Sequence, residues 1–497
     1  MTRLAIGAVL ALGLVLRLKD IVTNPPELFE DEISGAMSAW SVVTTGHDVI
    51  ADHLPFFTTV LGPQLPVYGL LTVPFQAVLG HTVPAVRLPA VLLGMLVIVL
   101  LYAFVRALAT PALALVAAAV VAVLPWAVHF SRIGWDNAAY PPLLLGGLLL
   151  LERATRSDRA SGRWLAGAAL VLGLTAYTYQ IAIVMTPLFA APLLWLRRAE
   201  LLRLRRRQVI GSALIALAVT LPYVLVWSSV PAFQARADLI GTFATGVDRG
   251  TLDRFVTNYL ANLSPTFLFV TGDENLRHGT GRGELLLWML PFAVVGVTSA
   301  ISRARRSALA AVAIAWLMLA PIPAAITDDG VPHAARSMLE LLAWSILVAI
   351  GIEIVRTHLA RGSAATRWAA AAIFVVAAAA ETVDYYGDVF TDYPIRSASA
   401  WGSGTAATLR EVALHTGPGA TACIGTLSRF TFPHVVRWYL GDRPPFTVIE
   451  GSPERCAAPG DVVVLSPGER ASRSHIVAAA FDVAGLPVAT IWQRDAR

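Results

Sequence analysis

The sequence predicts an α-helical polytopic membrane protein with about eleven transmembrane helices and a small C-terminal extracytoplasmic α/β domain. Three observations predict it. Of 497 residues, 56% are hydrophobic and only 14% charged, where a soluble domain carries about a quarter charged residues. Arginines fall in short clusters between long apolar runs, as the bias of cytoplasmic loops requires. Beyond residue 383 the apolar runs shorten to strand length. Residues 1–383 are therefore assigned to a transmembrane domain and 384–497 to the α/β domain. The net charge of +5 does not point to nucleic acid, because no basic face with interleaved aromatics is visible.

Leu4 to Ile21 is the first apolar run, preceded by Arg3. A secretory signal is the alternative, but no small-x-small cleavage site follows, and Arg17 and Lys19 interrupt its end. An uncleaved span with its amino terminus inside is expected. The loop from Thr23 to Pro84 comes next. In it, Ile33, Ala36, Met37, Trp40 and Val43 repeat at helical spacing, which predicts an amphipathic helix in the membrane interface. Pro66 to Leu79 is a second candidate of that kind.

Spans follow at Val86–Leu108, Ala112–Phe130 and Ala138–Leu151, closed by Arg153, Arg156, Arg159 and Arg163. The next basic cluster is Arg197, Arg198, Arg203, Arg205, Arg206 and Arg207. Two cytoplasmic flanks demand an even number of crossings, so Trp164–Leu196 reads as a tight helical hairpin with Tyr177, Tyr179 and Gln180 at its outer tip. Val209–Trp227, Leu285–Ile301, Ala308–Ile326, Leu339–Val355 and Trp368–Val383 complete the set. This places the chain in the plasma membrane as a multi-pass protein, amino end cytoplasmic and carboxyl-terminal domain outside. In the tail, strands are expected at Thr421–Leu427, Phe446–Ile449, Val462–Leu465 and Val488–Trp492, and helices at Thr405–His415, His434–Leu440 and His475–Val483. Both cysteines, Cys423 and Cys456, lie there; the location permits a disulfide without proving one.

The chemistry gathers on the outer side. Glu30-Asp31-Glu32 heads the first outer loop. A helix follows, so a favourable charge at its amino terminus is the bland explanation. Against it stand the apolar neighbours and a second outer link, Ser131-Arg132-Ile133-Gly134-Trp135-Asp136-Asn137, which sets an arginine and an acid at the same surface. Taken singly, Arg132 would be an interface anchor and Asp136 a helix cap. Two further outer stretches, Gly272 to His278 and Asp328 to Arg336, add imidazole and guanidinium groups. His333 and Arg336, three apart, would share a helical face and suit a phosphate, although simple snorkelling would also explain Arg336.

Asp31-Glu32, Pro84-Ala85-Val86-Arg87-Leu88-Pro89, Ser131-Arg132 and Pro332-His333-Ala334-Ala335-Arg336-Ser337 occur in that order. In this the sequence resembles the polytopic glycosyltransferases of the C-type fold that use polyprenyl-phosphate sugars. Protein O-mannosyltransferases and lipid A aminoarabinose transferases are branches of that family. The resemblance covers Leu4 to Val355 and leaves out the tail. It implies an inverting transfer of a sugar from a polyprenyl-phosphate donor, at the outer face, to a hydroxyl, amine or phosphate group of a glycan, lipid or protein acceptor. It further implies Asp31 as the catalytic carboxylate, acting as a base, with Glu32 beside it and Asp136 as a second acidic residue. Arg132, His333, Arg336 and Arg87 would face the donor phosphate; His278, Tyr179 and His53 would add donor or acceptor contacts. Asp136 does not extend into an Asp-x-Asp pair, so no metal or other cofactor is assigned, and a divalent cation finds no clear ligand motif.

Two other classes compete. A lipid or solute transporter or flippase would place ionisable groups at mid-membrane, often in repeated halves. Here they crowd one surface and no repeat is visible. A membrane-anchored scaffold would carry its function in the tail.

Overall fold

In this computed structural model, the residues described are 2–60, 62–156, 161–231, 233, 241–243, 246–424, 433–441, 444–450 and 453–495. Arg159 and residues 425–427 of the first expected tail strand lie outside them. The fold is mostly helical. Among the described residues, five helices are long and apolar enough to cross a membrane: Val83–Leu108, Arg206–Ser229, Ala308–Ala325, Glu340–Leu359 and Arg367–Thr391. Shorter apolar helices include Pro111–Val123, Ala182–Leu196 and Leu287–Arg303.

Burial separates the inner helices from the outer ones. Glu340–Leu359 sits in the middle of the main apolar core with Val83–Leu108 and Ala308–Leu319 around it. Arg206–Ser229 and Arg367–Thr391 are almost wholly uncovered. They show Leu214, Leu217, Leu225, Ile373 and Val376 to their surroundings. Apolar area of that extent facing out is stable against lipid, not water.

Small residues allow the inner helices to touch. A Cβ on Gly296 would stand 1.9 Å from the Leu347 carbonyl oxygen, and one on Gly351 2.0 Å from that of Phe292. Helices Leu290–Arg303 and Glu340–Leu359 therefore meet backbone to backbone, as small-residue membrane interfaces do. We expect Gly351→Ala to force the pair apart and cost about 1–3 kcal/mol. A thermal melt in detergent that matches the parent would refute this.

Two arginines hold helix ends. Arg17 donates to the carbonyls of Val121 and Ala122, at the end of Pro111–Val123. Arg132 donates in turn to Leu16, Arg17 and Asn24, closing helix Thr2–Leu18. A buried cation at a carbonyl terminus satisfies orphan acceptors and opposes the helix dipole favourably.

The tail carries a five-stranded mixed sheet. With β1 (Phe57–Thr59) and β2 (Gly62–Gln64) forming a small hairpin in the first outer loop, the tail strands are β3 (Thr421–Ile424), β4 (Thr447–Glu450), β5 (Val462–Leu465), β6 (Ser474–Phe481) and β7 (Pro487–Arg494), in the order β4-β3-β5-β7-β6. Helices Thr405–His415 and Pro433–Leu440 accompany it. Cys423 and Cys456 are joined as a disulfide.

Two expectations are corrected here. His475–Val483 is not a helix but most of β6. Its alanine run favours a helix, yet an Asp482–Gly485 turn folds it back onto β7. The Asp482 carboxylate accepts from the amides of Ala484 and Leu486, and Gly485 has φ +75°. Sheet pairing overrides local propensity. Nor does the whole stripe on helix Glu30–Thr45 lie open: Val43 is exposed, but the first part of the stripe is covered. Ile33, Ala36 and Met37 pack in one cluster with Leu409, Val412, Val435 and Trp438 of the tail. Glu27 ties the same two parts together: its carboxylate accepts from the Tyr439 hydroxyl at 2.8 Å and from the amides of Gly404 and Ala406.

Candidate active site

Loops distant in sequence enclose an open cavity of about 520 Å³. Asp31 and Asp136 line it, as do Tyr179, His278, His333 and Arg336. These six sequence-assigned residues lie far apart along the chain, and the fold brings them to one cavity.

Asp31 is placed by its neighbours. Phe29 caps helix Glu30–Thr45 with extended backbone, and the Glu32 carboxylate turns back onto the Phe29 amide. Consecutive helical residues point about 100° apart, so Glu32 goes into the protein while Asp31 borders the cavity. Gln64 of β2 fixes the turn from the other side, donating to the Asp31 carbonyl at 2.8 Å. Asp136 opens a short helical turn, Asp136–Ala139, and accepts from the Asn137 amide. Tyr179 is set by the hairpin tip. The hydroxyls of Tyr177 and Tyr223 hold the carbonyls of Val219 and Gln180, and the Gln180 side chain donates to Pro63.

Four assigned residues do not line the cavity. Arg87 and Glu32 form a fully buried ion pair with two 3.1 Å contacts. Arg87 also donates to the carbonyls of Ile21, Pro25 and Glu27, and Glu32 accepts the Gly134 amide at 2.8 Å. Their polar atoms are thus occupied in holding the first loop to helix Val83–Leu108. Arg132 is spent on the helix end described above. His53 contacts Thr58 at 3.0 Å and rests its ring edge on Phe233. All four position the site and do not face it.

Arg336 stands at the cavity wall. It donates to the Thr327 hydroxyl and to the carbonyl and carboxylate of Asp329. Asp329 is largely exposed, so a phosphate entering the cavity could take over that half of the guanidinium. His333 and Arg336 share a turn and not a regular helix. The His333 ring stacks on His278 with centroids 4.3 Å apart and planes 21° apart. Burial, then the nearby His278 and Arg336, holds the His333 imidazole well below its ordinary pKa, so it is neutral at physiological pH. Both imidazoles approach the Asp273 carboxylate, His278 Nδ1 at 3.4 Å and His333 Nδ1 at 4.0 Å from Oδ2. The three donor atoms lie within 4.8 Å of one another. This group could hold a metal ion.

Residues 63–227 match the family model described as dolichyl-phosphate-mannose-protein mannosyltransferase. The whole chain superposes on ArnT from Cupriavidus metallidurans, in its apo state (TM-score 0.58) and bound to undecaprenyl phosphate (0.56). Identity is 15%, with 98% of this chain and 97% of that one covered. The chain shares the fold of ArnT. The Archaeoglobus fulgidus oligosaccharyltransferase AglB, in complex with an inhibitory peptide and a dolichol-phosphate, shares the fold at TM-score 0.58 and 12% identity. That match covers 90% of this chain and 64% of the archaeal chain. No curated protein matches the sequence.

Asp273 and Arg277, which carried no assigned role in the sequence, also line the cavity. The Arg277 guanidinium lies 4.0 Å over the Phe29 ring. The only signal was their place in a polar stretch just ahead of a span.

Proposed function

We propose that the protein moves a sugar from a polyprenyl-phosphate donor to an acceptor at the outer membrane surface, with Asp31 as general base. One observation carries this: Asp31, Asp136 and Arg336, from three separate loops, border a single cavity at one end of the helical domain. The similarity to ArnT bound to undecaprenyl phosphate and to AglB with a dolichol-phosphate supports the donor class. The arginine clusters fall in the loops at the opposite helix ends, which supports a cytoplasmic amino terminus, an outer carboxyl-terminal domain and about eleven crossings.

The chemistry divides between the two charges. An acceptor hydroxyl is a weak nucleophile, and a carboxylate that takes its proton as the bond forms raises its reactivity. The leaving group is the lipid phosphate, whose charge grows as the glycosidic bond breaks. Arg336 is placed to stabilise that charge more in the transition state than before it. A single in-line displacement inverts the anomeric centre. Asp136 sits where it would orient the sugar or the acceptor.

Mass spectrometry of the lipid that copurifies with the protein tests the donor class; a lipid set without any polyprenyl phosphate, together with no transfer from such donors, would overturn it. Arg336→Ala should weaken binding of the polyprenyl phosphate by about 1.5–3 kcal/mol, the worth of a charged hydrogen bond. Unchanged affinity would remove Arg336 from the donor site.

A further inference from the structure

We propose that Gln64, Trp135 and Asn137 form the subsite that recognises the hydroxyl groups of the transferred sugar. This rests on the donor proposed above and adds three residues to it. The inference begins from unmet polar atoms. Gln64 Oε1, Trp135 Nε1 and Asn137 Oδ1 are buried and have no hydrogen-bond partner. Only eleven such side-chain atoms occur among the described residues, yet these three belong to one wall of one cavity. A buried polar atom left alone is costly, and a ligand that pairs with all three removes that cost.

The cavity is divided by charge. Asp31 and Asp136 apart, every charged residue lining it comes from 273–277 or 329–336. That side suits the phosphate. Thr59, Gln64, Trp135, Asn137, Tyr179 and Gln180 line the rest without any charge. A few fixed polar groups among aromatic rings are how pockets orient a neutral ligand.

The unmet atoms select the chemistry. Gln64 donates through Nε2 to the Asp31 carbonyl at 2.8 Å, and Asn137 through Nδ2 to the Ala335 carbonyl at 3.4 Å. Each amide oxygen is thereby left as an acceptor, whereas the Trp135 indole can only donate. An ionised phosphate accepts and would serve the indole alone. An ammonium donates and would serve the amides alone. A hydroxyl does both, so the several hydroxyls of a sugar ring can meet all three atoms.

Their positions agree. Gln64 is bonded beside the base, and Asn137 is bonded to the residue before Arg336. A ring held between them lies between the proton acceptor and the leaving phosphate. Trp135 is fixed in advance: its ring stacks on Trp401 with centroids 6.1 Å apart and planes 23° apart, and Glu32 holds the preceding amide at Gly134.

The test is binding to the full chain in detergent, comparing bare undecaprenyl phosphate with undecaprenyl phosphates that carry neutral hexoses or pentoses. The parent should prefer at least one sugar-bearing form. Trp135→Phe, which keeps an aromatic ring and loses the N–H, and Asn137→Leu should each weaken that form about three- to tenfold. Affinity for the bare lipid and the melting temperature should stay parental. A deoxy analogue that binds the parent less well, but binds one variant as well as the full sugar does, identifies the hydroxyl which that residue recognises. Losses that fall equally on bare and sugar-bearing lipid, or parental affinity in both variants, overturn the proposal. A parent that binds the bare lipid without preferring any sugar also overturns it and leaves the donor reading standing; a parent that binds neither form overturns both.

Discussion

Asp31→Asn is expected to lower sugar transfer by about two to four orders of magnitude, the usual worth of a positioned general base, while leaving the fold and donor-lipid affinity intact. The substitution keeps the size of the side chain. Its effect on helix Glu30–Thr45 is small, because the cap depends on Phe29 and Glu32. The Gln64 contact goes to the Asp31 carbonyl and survives. What is lost is the carboxylate's capacity to take a proton. The comparison is a single-turnover rate with saturating polyprenyl-phosphate sugar, set beside lipid binding by the same preparation. Parental turnover in the purified variant would end the assignment of Asp31 as base. A loss that tracked lost lipid binding would make it a donor contact instead.

Arg87→Ala should be the most damaging single change to stability, about 3–5 kcal/mol, the cost of leaving a buried charge without its partner. Arg87 and Glu32 are both fully buried. Removing the guanidinium strands the carboxylate and deprives three carbonyls of their donor. The paired change Arg87→Met with Glu32→Leu removes both charges and should melt above Arg87→Ala. Detergent melts and size-exclusion profiles of the three proteins decide the matter. Should Arg87→Ala melt like the parent and lose only donor binding, Arg87 would return to the phosphate site that its motif implied.

These two variants show where the sequence was legible. Asp31 could be found because a carboxylate run beside apolar residues has few reasons to exist. The long apolar runs report lipid directly, since length and apolarity are local properties. Which of two adjacent acids faces the cavity was not local. It depends on Arg87 and the Gly134 amide capturing Glu32 from other parts of the chain. The partners of Arg132 were hidden for the same reason, because nothing in its own stretch shows that a helix end lies within reach. His475–Val483 looked helical because alanine propensity is local, whereas its pairing with β7 is a property of the sheet. The Asp273, His278 and His333 group was invisible as a motif, since the loops that supply it are separated by a hairpin of two helices.

The grip of the tail on the first outer loop has a consequence for biogenesis. Asp31 leaves the ribosome long before the surface that covers its helix, which comes from Leu409, Val412, Val435 and Trp438. Until that portion has folded, Ile33, Ala36 and Met37 stay bare and Glu27 lacks Tyr439. A nascent chain halted before Leu409 would therefore carry its first loop without the cover that fixes it.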